Sequence, residues 1–378
     1  MIKCGFIGFG RMGITHFSIL NTHPSVDVVA VCDSSDIMMK ILKQYCTKVR
    51  TYTDYKRMMD KEKLDCVIIS TPTDSHADVI KAAVQRNIHI FVEKPFTMTP
   101  EEGAAILKDI EGKHLVTQVG YVNRFNEVFM EVKELINSGV LGDIKNFSAE
   151  MYGATVLKDT KSSWRSKKKT GGGCMYEFAS HCIDLAIYLF GQPDKVAGSV
   201  LQSVFSSDVE DIVSSNFIYN EGRAGLINVN WSDQAYRKPA NIVKIFGTKG
   251  KIVADKHAYK IYMREADEKQ GFEVGWNTRY ITDFAKSVRF YVRGNEFTRQ
   301  LDYFVDCMEK SNFENISGFS AAQKTDVVMD EITKDAAVTL SRGAANNTRP
   351  DGSPLMKKPA KRSSIWSKFS RQEVESVR

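Results

Sequence analysis

The stretch that decides the fold is residues 3–13, which read KCGFIGFGRMG. A short apolar run leads directly into a G-x-G-x-x-G turn, and an amphipathic segment follows over residues 14–20. A second apolar run, VDVVAVC at residues 26–32, ends on Asp33. Strand, glycine turn, helix, strand and terminal acid stand in the order that a dinucleotide-binding βαβ unit requires. We therefore expect a Rossmann unit at this end of the chain.

Each position of the turn has a distinct expected role. Gly8 allows the tight turn out of the strand, Gly10 lets the backbone approach a pyrophosphate, and Gly13 lets the helix pack against the sheet. The helix that begins near Arg11 directs free N–H groups and the positive end of its dipole at the phosphates. Asp33 can accept hydrogen bonds from an adenosine ribose. The predicted cofactor-binding residues of this unit are Gly8, Phe9, Gly10, Arg11, Met12, Gly13 and Asp33.

The type of cofactor follows from the surroundings of the turn. A glycine-rich turn that binds no ligand is the alternative, and the complete βαβ context favours cofactor binding. The following segments carry no flavin signal, so a nicotinamide cofactor is predicted. Asp33 is followed by Ser34 and Ser35 without an adjacent arginine, which favours NAD. NADP stays as the alternative, because serines can also receive a 2′-phosphate.

Length and composition place the chain among ordinary globular proteins. With 378 residues, two domains are expected. The apolar runs are too short for a membrane span, and the immediate entry into a core strand predicts no secretory signal. Seven cysteines without a C-x-x-C motif predict free thiols and a cytoplasmic location.

The net charge of +6 comes from one end of the chain. Residues 342–378 hold nine of the 52 Lys/Arg and three of the 46 Asp/Glu, which leaves 43 of each sign elsewhere. The remainder of the chain is therefore neutral, and no basic face for nucleic acid is predicted.

The order of apolar segments predicts two domains and a tail. Strands alternate with helices over residues 1–120, including LDCVIIS at 64–70 and IHIFV at 88–92, which predicts a doubly wound parallel sheet. Residues 121–342 are expected to form an α+β domain for substrate binding and oligomerisation, with a large, mostly antiparallel open sheet. Residues 343–378 are expected to form a flexible basic tail. An open apolar sheet face needs burial, so we expect a homodimer or homotetramer.

Motifs beyond the glycine turn carry a family resemblance. They are TPTDSH at 71–76, FVEKP at 91–95, RFN at 124–126, SGVLGDI at 138–144, Trp164-Arg165, and GGG at 171–173 followed by His181 and Asp184. In this order, over residues 3–190, the chain resembles the Gfo/Idh/MocA oxidoreductases, which include glucose–fructose oxidoreductase and inositol dehydrogenase. The resemblance implies NAD(P)-dependent oxidation of a secondary sugar hydroxyl. It also implies that the cofactor is contacted by Thr71, Pro72, His76, Glu93 and Lys94.

Lys94 is the first catalytic candidate. A lysine at the carboxyl end of a strand, on the edge that carries the cofactor turn, points into the ligand crevice. The resemblance implies that this is the catalytic lysine, with a cis bond to Pro95, and that it polarises the reacting oxygen. A surface lysine in an ordinary turn is the alternative.

A second candidate group lies on one predicted helix. Glu177, His181 and Asp184 stand at i, i+4 and i+7, so they share one face. His181 is suited to accept a hydroxyl proton, and Glu177 to orient it or bind a neighbouring hydroxyl; a satisfied, partly buried histidine is the alternative. Asp184 is expected to be structural. Many relatives carry Asp at the position of Glu177 and Gly at that of Ser180.

The substrate pocket is predicted less specifically. Its expected residues are Lys94, Tyr121, Arg124, Trp164, Arg165, Glu177 and His181. The basic run at residues 167–169 suits a phosphate-bearing sugar, although a solvated charge run is the alternative. The acids at 208, 210 and 211 lack metal-ligand spacing, and no metal is predicted.

Three functions are compatible with these motifs. A sugar dehydrogenase is the first, and the segments at 229–233, 236–239 and 290–294 are similar to relatives from bacterial polysaccharide and nucleotide-sugar pathways. The alternatives are a non-catalytic dinucleotide-binding regulator and a glycosidase that retains NAD.

Overall fold

The computed structural model describes residues 1–157 and 164–346, without the side chains of residues 164 and 340–346. Met1–Ala336 forms one compact unit, and the described residues 337–346 belong to a second unit. The expected tail begins at residue 343, but the last helix continues to Asn346; residues 347–378 lie outside the described part. Among the described residues, every helix is too short or too polar to cross a membrane.

The first sheet has six parallel strands in the order β3-β2-β1-β4-β5-β6. This order is typical of dinucleotide-binding folds, and it confirms the predicted doubly wound sheet. The strands are β1 (Ile2–Ile7), β2 (Val26–Cys32), β3 (Arg50–Tyr52), β4 (Cys66–Ile69), β5 (His89–Val92) and β6 (Thr117–Val119). The helices of this part are α1 (Arg11–Leu20), α2 (Asp36–Tyr45), α3 (Tyr55–Lys61), α4 (His76–Gln85) and α5 (Pro100–Ile110).

These strands form because their side chains are buried on both faces. All four residues of β4 are buried, as the uninterrupted apolar run predicts for a central parallel strand. Helix α5 begins with a capped first turn: the Thr99 hydroxyl accepts a hydrogen bond from the Glu102 N–H, and Pro100 occupies the first turn.

The second sheet has eight strands in the order β14-β13-β12-β11-β7-β10-β9-β8, and neighbours are antiparallel except β7 and β10. The predicted mostly antiparallel sheet is confirmed. Its strands are β7 (Ile144–Tyr152), β8 (Lys195–Gln202), β9 (Ile212–Ile218), β10 (Ala224–Asn230), β11 (Ala240–Gly247), β12 (Gly250–Ala254), β13 (Ala258–Met263) and β14 (Gly275–Tyr280). The remaining helices are α6 (Glu127–Asn137), a π-helical turn (Met175–Ala179), α7 (Ser180–Phe190), α8 (Asn295–Glu309) and α9 (Phe319–Asn346).

The two faces of this sheet differ. On one face, Phe147 stacks on Phe190 of α7 with ring centroids 3.9 Å apart, within the largest apolar cluster. The strand register places a set of exposed apolar side chains together on the opposite face: Ile218, Leu226, Phe246, Tyr262, Trp276 and Tyr280. We call this set the open face.

Helices α8 and α9 return to the first sheet. Phe304 of α8 lies edge-on to Phe91 of β5, and Phe319 of α9 contacts Phe96, with centroids 5.9 and 4.4 Å apart. The domain division expected at residue 120 is therefore crossed by α8 and α9, which complete the apolar core of the first sheet. The periodicity of apolar residues in the sequence does not predict such long-range packing.

Candidate active site

A cavity of about 890 Å³ lies at the carboxyl ends of β1, β4 and β5, where the second sheet and its helices face the first. Ligands in open α/β sheets bind at this edge, where the strand order reverses. Most of the predicted site residues line the cavity: Gly8, Gly10, Arg11, Met12, Asp33, Thr71, Pro72, Glu93, Lys94, Arg165, Glu177 and His181.

The glycine turn has the shape that a bound pyrophosphate requires. Gly8 has φ +86°, and a Cβ there would lie 2.7 Å from the backbone of Ser70. A Cβ on Gly13 would lie 2.2 Å from the Gly8 oxygen, so this glycine permits close packing of α1. A Cβ on Gly10 would meet no atom within 4 Å and would project into open space. Gly13 is thus a packing residue, and Gly10 leaves room for a ligand.

Asp33 is fixed at the end of β2 by two backbone donors. Its carboxylate accepts hydrogen bonds from the N–H groups of Phe9 at 2.5 Å and Ser35 at 2.8 Å. The Phe9 side chain turns into the core against Phe17, so Phe9 acts through its backbone. An oriented carboxylate at this position fits a ribose diol, and the residues present fit a dinucleotide.

His76 lies outside the cavity, contrary to the expectation that it contacts the cofactor. Its ring is buried, with Nε2 3.0 Å from the Thr71 oxygen and Nδ1 3.0 Å from the Pro95 oxygen. The side chain therefore links the two loops that follow β4 and β5. Thr71 and Pro72, at the cavity wall, are positioned by this link.

Lys94 follows β5 and projects toward the π-helical turn. The Lys94–Pro95 peptide bond is cis, as the resemblance implies. The Lys94 ammonium donates to the carbonyl oxygens of Tyr176 and Glu177, at 3.2 and 3.1 Å. The buried Ser180 hydroxyl donates to the same Tyr176 oxygen at 2.7 Å. Ser180, where many relatives carry Gly, therefore supports the π-helical turn. Such π-helical turns are frequent at functional sites.

Glu177 lies between two cations. Its carboxylate oxygens are 3.7 Å from the Lys94 ammonium and 3.2 Å from the Arg165 guanidinium. Burial raises the pKa of this carboxyl, but the charges of Lys94 and Arg165 outweigh burial, and its pKa is lowered overall. Glu177 is therefore ionised near pH 7 and pairs with Lys94, and the predicted roles of orienting the imidazole or binding a neighbouring hydroxyl stay predictions.

His181 occupies the next turn of the same helix and lines the cavity. Burial, reinforced by the charges of Lys94 and Lys256, holds its pKa well below the ordinary value of a histidine. The ring is therefore neutral near pH 7 and able to accept a proton. Its Nδ1 is buried, with no hydrogen-bond partner among the described residues.

Two predicted substrate residues are structural instead. Arg124 is buried and pairs with Asp184 through three contacts of 2.7 to 3.2 Å, because a buried guanidinium needs a carboxylate. Tyr121 is buried with its ring 6.3 Å from that of His181, and it does not line the cavity. Asp184 therefore has the structural role expected of it. The side chain of Trp164 lies outside the described part.

The structure adds cavity residues that the predicted set lacked. They come from the second sheet, its connections and α8, and include Asn241, Lys256, Arg293 and Phe297. The sequence around these residues contains no motif that predicts a binding site, since turns of this composition are common. The segment at 290–294 differs only in its similarity to relatives. Among the described residues, no group of three or more His, Cys, Asp or Glu side chains could hold a metal ion.

Comparison with known families agrees with this architecture. Residues 2–121 match the model for "Oxidoreductase family, NAD-binding Rossmann fold", and residues 129–253 match the "GFO/IDH/MocA C-terminal domain". The predicted nicotinamide cofactor is thereby confirmed.

Individual relatives are sugar-alcohol and sugar enzymes of low identity. The chain is 26% identical over 226 residues to scyllo-inositol 2-dehydrogenase (NADP(+)) IolW of Bacillus subtilis, and the match covers 59% of this chain and 61% of the relative. It is 25% identical to scyllo-inositol 2-dehydrogenase (NAD(+)) of the same species, covering 94% and 96% of the two chains. The chain thus spans about three fifths of the first relative and nearly all of the second.

A solved structure with the same fold is that of levoglucosan dehydrogenase in complex with NADH and levoglucosan. It superimposes with a TM-score of 0.80 at 20% identity, covering 89% of this chain and 97% of the other. With both sheets, the cavity and both family models in agreement, the chain belongs to the Gfo/Idh/MocA oxidoreductase family.

Proposed function

We propose that this protein is an NAD-dependent dehydrogenase that oxidises a secondary hydroxyl of a sugar. The observation that carries the proposal is the convergence of Lys94, Glu177 and His181 on one cavity that the glycine turn also lines. Inositol and sugar dehydrogenases among the relatives support this substrate class.

The cofactor would be held along the first sheet. Gly8 and Gly10 would allow the backbone to approach its phosphates, and Asp33 would accept the ribose hydroxyls. When bound, the nicotinamide supplies the two-electron acceptor. Asp33 supports NAD as the preferred cofactor, because a carboxylate repels the 2′-phosphate of NADP.

Lys94 would bind the reacting oxygen of the sugar. Its ammonium is held in place by two carbonyl oxygens and by the Glu177 carboxylate. A fixed positive charge at this point stabilises negative charge that develops on the oxygen as its proton leaves.

His181 would accept the hydroxyl proton. Because Nδ1 is buried, Nε2 is the nitrogen available to the substrate, which requires the tautomer with its hydrogen on Nδ1. The lowered pKa keeps the ring neutral and ready to accept the proton. Lys94 and His181 thus divide the work, one charged donor and one neutral acceptor.

Within this proposal, nucleotide-sugars are the substrate class that we prefer, as in one branch of the family. It is supported by the segments at 229–233, 236–239 and 290–294, and by the cations that line the cavity, which are Arg11, Lys94, Arg165, Lys256 and Arg293. A cavity with this excess of cations suits a substrate that carries phosphate.

The proposal also includes self-association and a cytoplasmic location. The open face of the second sheet presents apolar and aromatic side chains, and such a surface is stabilised when a second copy covers it. The free cysteines support a reducing compartment.

One experiment separates the candidate functions. Purified protein is incubated with NAD and a panel of neutral sugars, sugar acids and UDP-sugars while absorbance at the NADH band is followed. Growth of that band with wild type, and its loss in Lys94→Met with NADH affinity retained, is expected. Hydrolysis without net NADH would instead identify the glycosidase, and cofactor binding with neither outcome would identify the regulator.

A further inference from the structure

Two cations of the cavity wall have no part in the proposed chemistry, namely Lys256 and Arg293. Lys256 stands in the turn between β12 and β13. The Asn126 side chain, at the start of α6, donates to the Lys256 carbonyl at 3.2 Å. The Asp255 carboxylate accepts from the backbone N–H groups of His257 and Ala258. The tip of this hairpin is therefore fixed, and Lys256 is directed into the cavity.

The charge of Lys256 is only partly compensated. Its ammonium faces the Glu296 carboxylate across 3.8 Å, which is longer than a normal hydrogen bond. Burial lowers the pKa of Lys256, and the neighbouring charge of Arg293 lowers it further against the opposing effect of Glu296. Lys256 and Arg293 line the same cavity and repel each other electrostatically, and two like charges in one cavity favour a bound anion.

Arg293 is held in a backbone conformation that is costly for a side chain. Its φ is +65°, and Gly294 follows with φ +140°. The guanidinium lies 5.3 Å from the centre of the Phe297 ring and 3.6 Å from the Met12 sulfur. Backbone strain of this kind clusters at ligand clamps. None of the ion pairs within the described residues includes Arg293, so its charge is available to a ligand.

The position of Lys256 relative to His181 indicates which ligand brings the anion. Lys256 and His181 line the same cavity and the charge of Lys256 acts on the imidazole, which groups Lys256 with the residues proposed to meet the substrate. The phosphates of the cofactor are expected at the glycine turn, which Arg293 also contacts through the Met12 sulfur, so Lys256 is the cation that we assign to the substrate.

We propose that Lys256, flanked by Arg293, forms an anion subsite of the substrate pocket, so that the physiological substrate is a sugar carrying a carboxylate or phosphate. This inference rests on the proposed dehydrogenase function and specifies its substrate class. The anion has two chemical sources, a carboxylate on the sugar ring or a phosphate on the anomeric oxygen, as in a sugar phosphate or nucleotide-sugar.

The test compares Lys256→Gln with wild type, and with Lys108→Gln as a matched control, because Lys108 is an exposed lysine of α5 outside the cavity lining and the open face. Each full-length protein is saturated with NADH and titrated calorimetrically with methyl glucoside, methyl glucuronide, glucose 1-phosphate and UDP-glucose. The KM values of the same compounds are measured with NAD.

We expect wild type to bind at least one anionic compound more tightly than methyl glucoside. Lys256→Gln should weaken that binding and raise that KM by roughly tenfold or more, as loss of a charge-assisted contact implies. Its NADH affinity, and its methyl glucoside KM where measurable, should stay within about twofold of wild type. The glucuronide and phosphate arms identify the source of the charge.

Three results would overturn the subsite. They are equal affinity of wild type for neutral and anionic compounds, unchanged anion binding in Lys256→Gln, and a loss of NADH affinity in that variant as large as its loss of sugar affinity. Oxidation of methyl glucoside alone would leave the dehydrogenase function standing. Absence of turnover with every compound would count against both proposals.

Discussion

The ammonium of Lys94 lies 3.1 Å from the carbonyl oxygen of Glu177, so a side chain at the end of a first-sheet strand is held by the π-helical turn that precedes α7. The same contact brings the Glu177 carboxylate within 3.7 Å of the lysine. The proposed site is therefore complete only when the two sheets are packed together, because Lys94 comes from one and its partners from the segment that packs on the other.

Lys94→Met should lower kcat by about 10²–10³-fold, because it removes a fixed charge from the developing alkoxide. NADH affinity, measured by fluorescence titration, should stay within about threefold of wild type, since the glycine turn and Asp33 are untouched. A variant that retains more than a tenth of wild-type kcat would show that the lysine does not act on the reacting oxygen.

His181 should give an unusual pH profile. The proton acceptor must be neutral, and its lowered pKa keeps it neutral at pH values where an ordinary histidine, with a pKa of about 6.5, is half protonated. As pH falls from about 8, kcat/KM should therefore stay flat through about 6.5 and decline only at lower pH. His181→Gln should lose this acid limb together with about 10²–10⁴-fold of the rate. An acid limb centred at the ordinary histidine value in wild type would contradict the assignment.

The two glycines Gly10 and Gly13 should separate ligand binding from folding. Gly10→Ala adds a methyl group to open space, so the unfolding midpoint should be unchanged while NADH affinity falls by roughly tenfold or more. Gly13→Ala places its Cβ 2.2 Å from the Gly8 oxygen, so stability and affinity should fall together. Thermal unfolding and NADH titration on both proteins check this, and retained NADH affinity in Gly10→Ala would remove the pyrophosphate from this turn.

The Arg124–Asp184 pair should behave as a buried structural ion pair. Arg124→Met leaves the Asp184 carboxylate uncompensated and should destabilise the protein by about 3–5 kcal/mol, seen as a lower denaturant midpoint. The double variant Arg124→Met with Asp184→Leu should recover part of this loss. If Arg124→Met instead raised a substrate KM at unchanged stability, the earlier prediction of a substrate contact would be correct.

The open face should mediate self-association. Leu226→Asp introduces a charge into the exposed apolar set of the open face, so light scattering should show a shift from dimer or tetramer to monomer. Lys40→Asp, on the exposed surface of α2, should leave the mass unchanged. A wild-type monomer at micromolar concentration would rule the interface out.

Several features of this protein were predictable from local sequence. Hydrophobic runs bounded by turns predicted both sheets, because burial on two faces demands uninterrupted apolar strands and burial on one face demands alternation. The glycine turn and Asp33 were predictable for the same reason, since their roles depend on backbone geometry within one βαβ unit. Glu177 and His181 share a helix, so their common placement follows from helical spacing.

Tertiary structure alone decided which polar side chains face the cavity and which are consumed by the core. Arg124 stands next to cavity residue Asn123, yet its guanidinium turns to Asp184, sixty residues away. Lys256 and Arg293 reach the cavity from a hairpin turn and a loop whose amino-acid composition does not predict a binding site. The physical reason is that a charged side chain is directed by the partner that compensates its burial, and such partners are brought together only when distant segments pack.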